Sequence, residues 1–179
     1  MSNIIYSDLE LQSWEIKKIL SEQLNNKLKE MENFYKEKNL YIPLEPIKKF
    51  YFGDPPEPPL QNLPAISIYG GTTRIEDRAM HGWTMDVNLI YIKCYIIENL
   101  NSELEGHLFY EILYLKSLRY AKTIRQILMD VNNRNLNNNV EYIRIPAIIY
   151  SDTISLENVA LKWCRLEVET IGKRRSERI

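Results

Sequence analysis

Between Ile16 and Tyr35 apolar residues return every three or four positions, at Ile16, Leu20, Leu24, Leu28, Met31 and Tyr35, while Lys17, Lys18, Glu22, Lys29, Glu30 and Glu32 fill the intervals. That spacing stacks one apolar stripe along a helix of 3.6 residues per turn and leaves its other sides to water. Ser7-Asp8-Leu9-Glu10 just before it reads as a capping box, in which the Ser7 hydroxyl and the Glu10 carboxylate satisfy free backbone N–H groups at the helix start. The helix is expected to end near Lys38, ahead of Pro43. A seam of this length could also form a coiled coil, but its spacing drifts from strict heptads, which favours packing on the protein's own sheet.

Downstream the period changes. Ile47 to Phe52 is a short apolar and aromatic run that predicts a strand, and Pro64 to Tyr69, closed by Gly70-Gly71, predicts another. Between them, Gly53-Asp54-Pro55-Pro56-Glu57-Pro58-Pro59 holds four prolines in five residues; these pin φ and cannot donate to a ladder, so the segment is expected to be a stiff extended loop. Trp83 to Ile97, rich in β-branched and aromatic residues, predicts the longest strand, with Thr72 to Gly82 joining it as a long hairpin arm or a mobile loop. A second capping box, Ser102 to Glu105, opens a helix whose face is Leu104, Leu108, Ile112 and Leu115. Leu118, Ala121, Ile124, Leu128 and Val131 rotate off that stripe and predict a kink or restart near Ser117. The Asn-rich run 132–139 predicts a loop, Val140 to Tyr150 and Asn158 to Ile171 predict the closing strands, and Pro146 predicts an edge position or a bulge.

This order predicts class α+β: a single domain over residues 1–171, an antiparallel or mixed sheet of about four to five strands with the long N-terminal helix and a central helical segment packed on it, and a flexible basic tail over 172–179.

Composition narrows the function. At 45% apolar and 26% charged, the 179 residues match an ordinary folded domain. Lys plus Arg (23) nearly balance Asp plus Glu (24), so no long-range field draws phosphate backbones or anionic lipid, and no direct nucleic-acid recognition is expected. No apolar run is long enough to span a membrane, and the first residues lack a signal-peptide pattern, which predicts a cytoplasmic protein. Cys94 and Cys164 lie in apolar strand-like runs, where reduced cysteine acts as a small buried hydrophobe.

Candidate chemistry is sparse. The two histidines, His81 and His107, stand apart, and Cys-x-x-Cys, a nucleophile elbow and a Gly-rich phosphate loop are all missing from the sequence. No metal, cofactor or catalytic residue is therefore assigned. The enzymatic alternative rests on Glu167 and Glu169, which alternate on a strand and so share a face, and which could hold Mg²⁺ with Asp86 as in a metal-dependent nuclease. The 12 tyrosines and three tryptophans point rather to interfaces, where rigid aromatics bury much area at small entropic cost.

Tyr51-Phe52-Gly53-Asp54-Pro55, the proline-rich spacer, Leu63-Pro64-Ala65-Ile66-Ser67-Ile68-Tyr69 and the long strand from Trp83 resemble bacteriophage tail terminator or tail-completion (neck) proteins, and the order of elements over residues 10–171 is similar as well. The resemblance implies a non-enzymatic virion subunit, assembled in the host cytoplasm. It implies a ring, commonly a hexamer, at the head-proximal end of the tail tube, with tube, neck or head–tail connector proteins as partners, and the sheath if the tail contracts. A head-closure or adaptor protein is the alternative within the same class. Two segments are expected to meet those partners: Tyr51, Asp54, Pro55, Pro56, Glu57, Pro58 and Pro59 in the stiff loop, and Arg74, Glu76, Asp77, Arg78 and Trp83 around the hairpin tip.

Overall fold

A computed structural model describes residues 8–55, 58–78, 83–99, 106–156 and 158–175. Helix α1 (Leu9–Glu37) is capped by Asp8, whose carboxylate accepts from the Glu10 and Leu11 N–H groups at 2.9 and 3.2 Å. The cap thus falls one residue later than the expected box, and Ser7 lies outside the described residues. Ile16, Leu20, Leu24, Leu28 and Met31 are buried as the stripe predicts. At the other end Asn39 takes a left-handed φ of 57°, and the Leu40 N–H returns to the Tyr35 carbonyl, closing the last turn.

The sheet has six strands in the order β1 (Lys49–Phe52), β2 (Ala65–Arg78), β3 (Trp83–Asn99), β6 (Val159–Arg175) and β4 (Tyr142–Tyr150), with the two-residue β5 (Ile154–Ser155) also paired to β6. It is one strand larger than expected. Among the described residues only the β1–β2 pair is parallel, so the sheet is mixed and the class is α+β. β2 does not stop at Gly70: after a register shift between Gly70 and Thr73 it runs on to Arg78, so the expected arm or loop is a paired arm as far as the described residues go. Likewise β6 continues four residues past Ile171, with Asp86 opposite Gly172 and Trp83 opposite Arg175, where a flexible tail was expected. In both places a long neighbouring strand offers a ladder that satisfies the backbone and overrides a polar, strand-poor composition. Pro146 sits on edge strand β4, inside a register shift between Arg144 and Ala147, where its missing N–H costs no ladder bond.

Helix α2 (Gly106–Met129) runs unbroken through Ser117, against the expected kink, and the Ser102–Glu105 box lies outside the described residues. The kink came from choosing the wrong stripe. Leu108 and Leu115 are exposed, and the buried line is Phe109, Leu113, Ser117, Tyr120, Ile124 and Leu128, which one straight helix presents along one side. Lys116, Ser117 and Thr123 are buried polar members of that face and disguise it in the sequence.

Both helices cover one face of the sheet. Ile66 and Ile68 of β2, Ile90, Ile92, Cys94 and Ile96 of β3, and Cys164, Leu166 and Val168 of β6 share one core with the α1 and α2 stripes. Gly70 lets the start of α1 approach: a Cβ there would meet the Leu9 side chain at 2.7 Å. Nearby, Asn88 Nδ2 donates to Gln12 Oε1 at 2.9 Å and the Thr170 hydroxyl donates to the same oxygen, tying α1 to β3 and β6 inside the core. The Asn-rich segment turns back through Leu136, Asn137 and Asn138, all at positive φ, a conformation asparagine tolerates well. Buried Asn133 bonds both Gln23 and the Ile127 carbonyl.

Cys94 and Cys164 are free thiols facing each other across the β3–β6 ladder, both fully buried. Burial, then a hydrogen bond to Cys164 and its charge, push the Cys94 thiol well above its ordinary range. Burial likewise pushes up the Tyr120 hydroxyl, which donates to the Glu45 carbonyl at 2.6 Å. The fold favours the neutral form of both groups. Unfolded cysteine and tyrosine ionise near about pH 8.5 and 10, so this stabilisation is complete below those values and is lost as pH rises through them. Urea melts between pH 7 and 11 are expected to show falling stability above about pH 9; a stability that holds or rises through pH 11 would contradict this packing.

Candidate interaction surface

No described helix covers the second face of the sheet, and its residues alternate with the core positions: Tyr69 on β2, Leu89 to Tyr95 at odd numbers on β3, and Trp163 to Ile171 at odd numbers on β6. Cross-strand register brings these side chains together. The Tyr69 and Tyr91 rings lie 5.3 Å apart, and the Arg165 guanidinium sits 4.8 Å over Tyr91. Lys93 Nζ stands 4.9 Å from the Tyr95 ring and 4.8 Å from Trp163. Each cation over a ring electron cloud is worth about 0.5–1 kcal/mol where water still reaches it, enough to hold an ordered half-buried surface.

Towards the arm, buried Glu169 is bracketed by two arginines: Arg74 Nη2 lies 2.7 Å from its Oε1, and Arg144 Nε bonds its Oε2. Met85, Val87 and Ile171 form a small apolar cluster at the same end. Glu167 pairs with Arg165 at 3.3 Å. These pairs decide the carboxylate question. Asp86 faces the helix side, opposite Gly172, whereas Glu167 and Glu169 face away from it, so the three acids do not converge and two of them already carry guanidinium partners. Among the described residues no three His, Cys, Asp or Glu side chains are placed to share an ion.

At the opposite end the stiff loop returns over the uncovered face and is strapped down. Gly53, at φ 103°, donates its N–H to the Ile68 carbonyl at 2.8 Å, Asn62 Nδ2 donates to the Tyr51 hydroxyl at 2.9 Å, and the Tyr95 hydroxyl donates to Asp54 Oδ1 at 3.3 Å. A single 3₁₀ turn (Leu60–Asn62) leads into β2. Between this loop and β5 lies a groove of about 480 Å³, lined by Pro58, Pro59, Leu60 and Leu63 on one side, Ile154 and Leu156 on the other, and Lys93, Tyr95, Ile96, Leu161, Lys162 and Trp163 of β3 and β6.

No protein-family model matches this chain, and no curated protein matches it.

The expected contact residues fall into two groups along β2, one level with its first residues and the other running from Arg74 to its end. Pro58 and Pro59 line the groove, Pro55 is half-buried, and Tyr51 and Asp54 are spent holding the loop. Pro56 and Glu57 lie outside the described residues, as does His81. Arg74 is half-exposed and engaged with Glu169; Glu76, Asp77, Arg78 and Trp83 are paired strand positions whose side chains lie outside the description. Sequence reasoning missed the far wall of the groove, because Ile154 belongs to a strand of two residues and Leu156 follows just past it, too short a stretch to show a period.

Proposed function

We propose that this chain is a structural subunit that works by fitting against other protein chains, and that its place is a tail terminator ring at the head-proximal end of a phage tail tube. The observation that carries the reading is the uncovered sheet face, which ends in an apolar groove beside a loop held rigid by proline and by four internal hydrogen bonds. A pre-ordered loop loses little entropy on docking, and half-buried Tyr, Trp and Arg are the side chains that dominate protein interfaces. The acids that would have supported a metal nuclease do not converge, so the geometry favours binding over catalysis. The ring itself rests on the resemblance over residues 51–69.

Light scattering and negative-stain microscopy test this reading. The purified chain, alone or with its tube protein, is expected to form closed rings that cap tube ends and stop their growth. A chain that stays monomeric at every accessible concentration and also ignores tube and neck proteins would sink it. Density for the chain elsewhere along the neck in the intact particle would reassign it as a head-closure or adaptor protein.

A further inference from the structure

The arm of the sheet has two open edges. β2 is 14 residues long, but β1 covers its outer side only from Ala65 to Ile68, whose carbonyl accepts the Gly53 N–H. From Tyr69 to Arg78 nothing pairs with that side among the described residues. Across the arm, β4 covers β6 only as far as Ile171, whose carbonyl accepts from the Glu141 N–H, and among the described residues Gly172 to Arg175 have no strand outside them. An open edge is a row of unmade hydrogen bonds on which another strand can pair. The remaining edges are blunted, β4 by Pro146 in its register shift and β1 by a length of four residues, whereas Thr72 to Arg78 contains no proline.

Ladder parity decides which backbone groups point outward. Ile68 stands opposite Ile92 and bonds away from β3, and in an antiparallel pair this direction alternates from one position to the next. The β2 residues opposite even-numbered β3 positions therefore all turn outward, and beyond the shift at Gly70 these are Thr73, Ile75 and Asp77, opposite Asn88, Asp86 and Thr84. On β6 the odd positions turn outward, as the Ile171–Glu141 bond shows. Past the end of β4 these are Lys173 and Arg175.

The two edges suit each other. Across β3, Ile75 stands level with Gly172, Glu76 with Lys173 and Asp77 with Arg174, and β2 and β6 run in one direction because each is antiparallel to β3. A closed ring repeats by rotation alone, so with the arm along the ring axis the β2 edge of one copy meets the β6 edge of the next at the same level. The pair is then parallel, a geometry that sets an outward residue of one strand opposite an inward residue of the other. Ile75 against Gly172 and Asp77 against Arg174 meet that condition, and Asp77 can bond both Lys173 and Arg175. Charges oppose at two levels, Glu76 with Lys173 and Asp77 with Arg174; Arg78 with Arg175 is the like-charged level.

The exposed apolar patches on the helix side fix no partner by register or charge. Trp14 has Glu10 and Glu15 near it but also Lys17 and Lys18. Beside the exposed Leu108 and Leu115, Tyr110 is bonded to Ser155 and Tyr114 packs on Tyr150 beneath Lys162.

We infer that, on the ring-subunit reading, neighbouring copies join arm to arm, the open β2 edge of one pairing in parallel with the open β6 edge of the next. Amide hydrogen exchange read by mass spectrometry tests this in the wild-type chain. Exchange over residues 73–77 and 173–175 is expected to slow by at least about tenfold between dilute single chains and rings. Ile75→Pro removes one outward N–H at no cost to the β2–β3 ladder, and Ile75 is 64% exposed, so circular dichroism is expected to show it folded. In light scattering it is expected to fall to the single-chain mass of 21.3 kDa, while Ile75→Val keeps the ring. Glu76→Lys is expected to weaken the ring and Glu76→Lys with Lys173→Glu to restore it. Wild-type rings without slower exchange in the arm, or rings that persist in folded Ile75→Pro, would leave the ring reading standing and overturn this contact. Two other occupants would overturn it as well: the N-terminal segment, if the arm is already protected in single chains until residues 1–7 are removed, and the tube protein, if protection appears only when tube binds a formed ring. A wild-type chain that never forms rings, alone or with tube protein, would overturn both readings.

Discussion

Replacing Lys116 with alanine is expected to lower the unfolding free energy by about 3 kcal/mol, and the melting temperature by roughly 6–12 °C for a domain of this size. The Lys116 side chain is 3% exposed, yet it carries a charge into the seam between α2, β3 and the segment leading to β1. Its Nζ pairs with the Glu98 carboxylate and lies 3.9 Å from Glu45. Glu98 is only one-fifth exposed, so deleting the lysine strands a carboxylate with little water to replace its partner. Removing both charges at once, as Lys116→Met with Glu98→Met, is expected to recover most of the loss, since apolar groups of similar volume often replace a buried pair without net cost. Thermal and urea melts of the three variants check this. A single-variant cost under about 1 kcal/mol would mean that the pair behaves as an exposed one.

Leu113→Ala and Leu115→Ala are expected to differ sharply although they change the same side chain two positions apart. Leu113 is fully buried in the main core and Leu115 is 39% exposed. Truncating the first leaves a cavity and costs about 2–5 kcal/mol; the second is expected to cost well under about 1 kcal/mol. Equal costs in urea titrations would show that α2 is rotated about its axis. The pair is chosen because the apolar spacing of Leu104, Leu108, Ile112 and Leu115 argues for the opposite ranking.

That helix shows where sequence reading fails here. On α1 every inward position of the predicted stripe is apolar, so periodicity alone finds the buried face. On α2 the inward face includes Lys116, Arg119 and Thr123, whose polar ends are satisfied by Glu98, by the Leu40 carbonyl and by the Arg119 carbonyl. Those partners lie in other elements or a turn away along the helix, and pattern matching over a short window cannot see them. Arg119 also stacks 3.9 Å over the Tyr35 ring, so a residue that reads as solvent-facing joins α1 to α2.

The surface divides in the same way. The stiffness of the proline segment was legible, because proline restricts its own backbone whatever surrounds it. What it is stiff against was not. Tyr51 and Asp54, expected to face a partner, hold the loop through Asn62 and Tyr95, and the groove exists only because β5 and the Tyr95–Trp163 pair stand opposite. Glu167 and Glu169 share a face as their spacing requires, and Arg165, two residues from Glu167, shares it for the same reason; Arg144 and Arg74 reach Glu169 only because of how β4 and β2 are placed in the sheet.

By itself the sequence determined the α+β class, the extent and buried face of α1, the long strand from Trp83, the Asn-rich turn and the edge or bulge at Pro146. Each of these follows from local geometry: side-chain period, restricted φ, or a missing N–H. Only the tertiary structure decided the parallel β1–β2 pair, the extension of β2 and β6 beyond their apolar stretches, the face-to-face cysteines and the uncovered face with its groove. Those features depend on which strands become neighbours and in what register, and pairing energies between segments far apart in the chain leave no periodic trace along it.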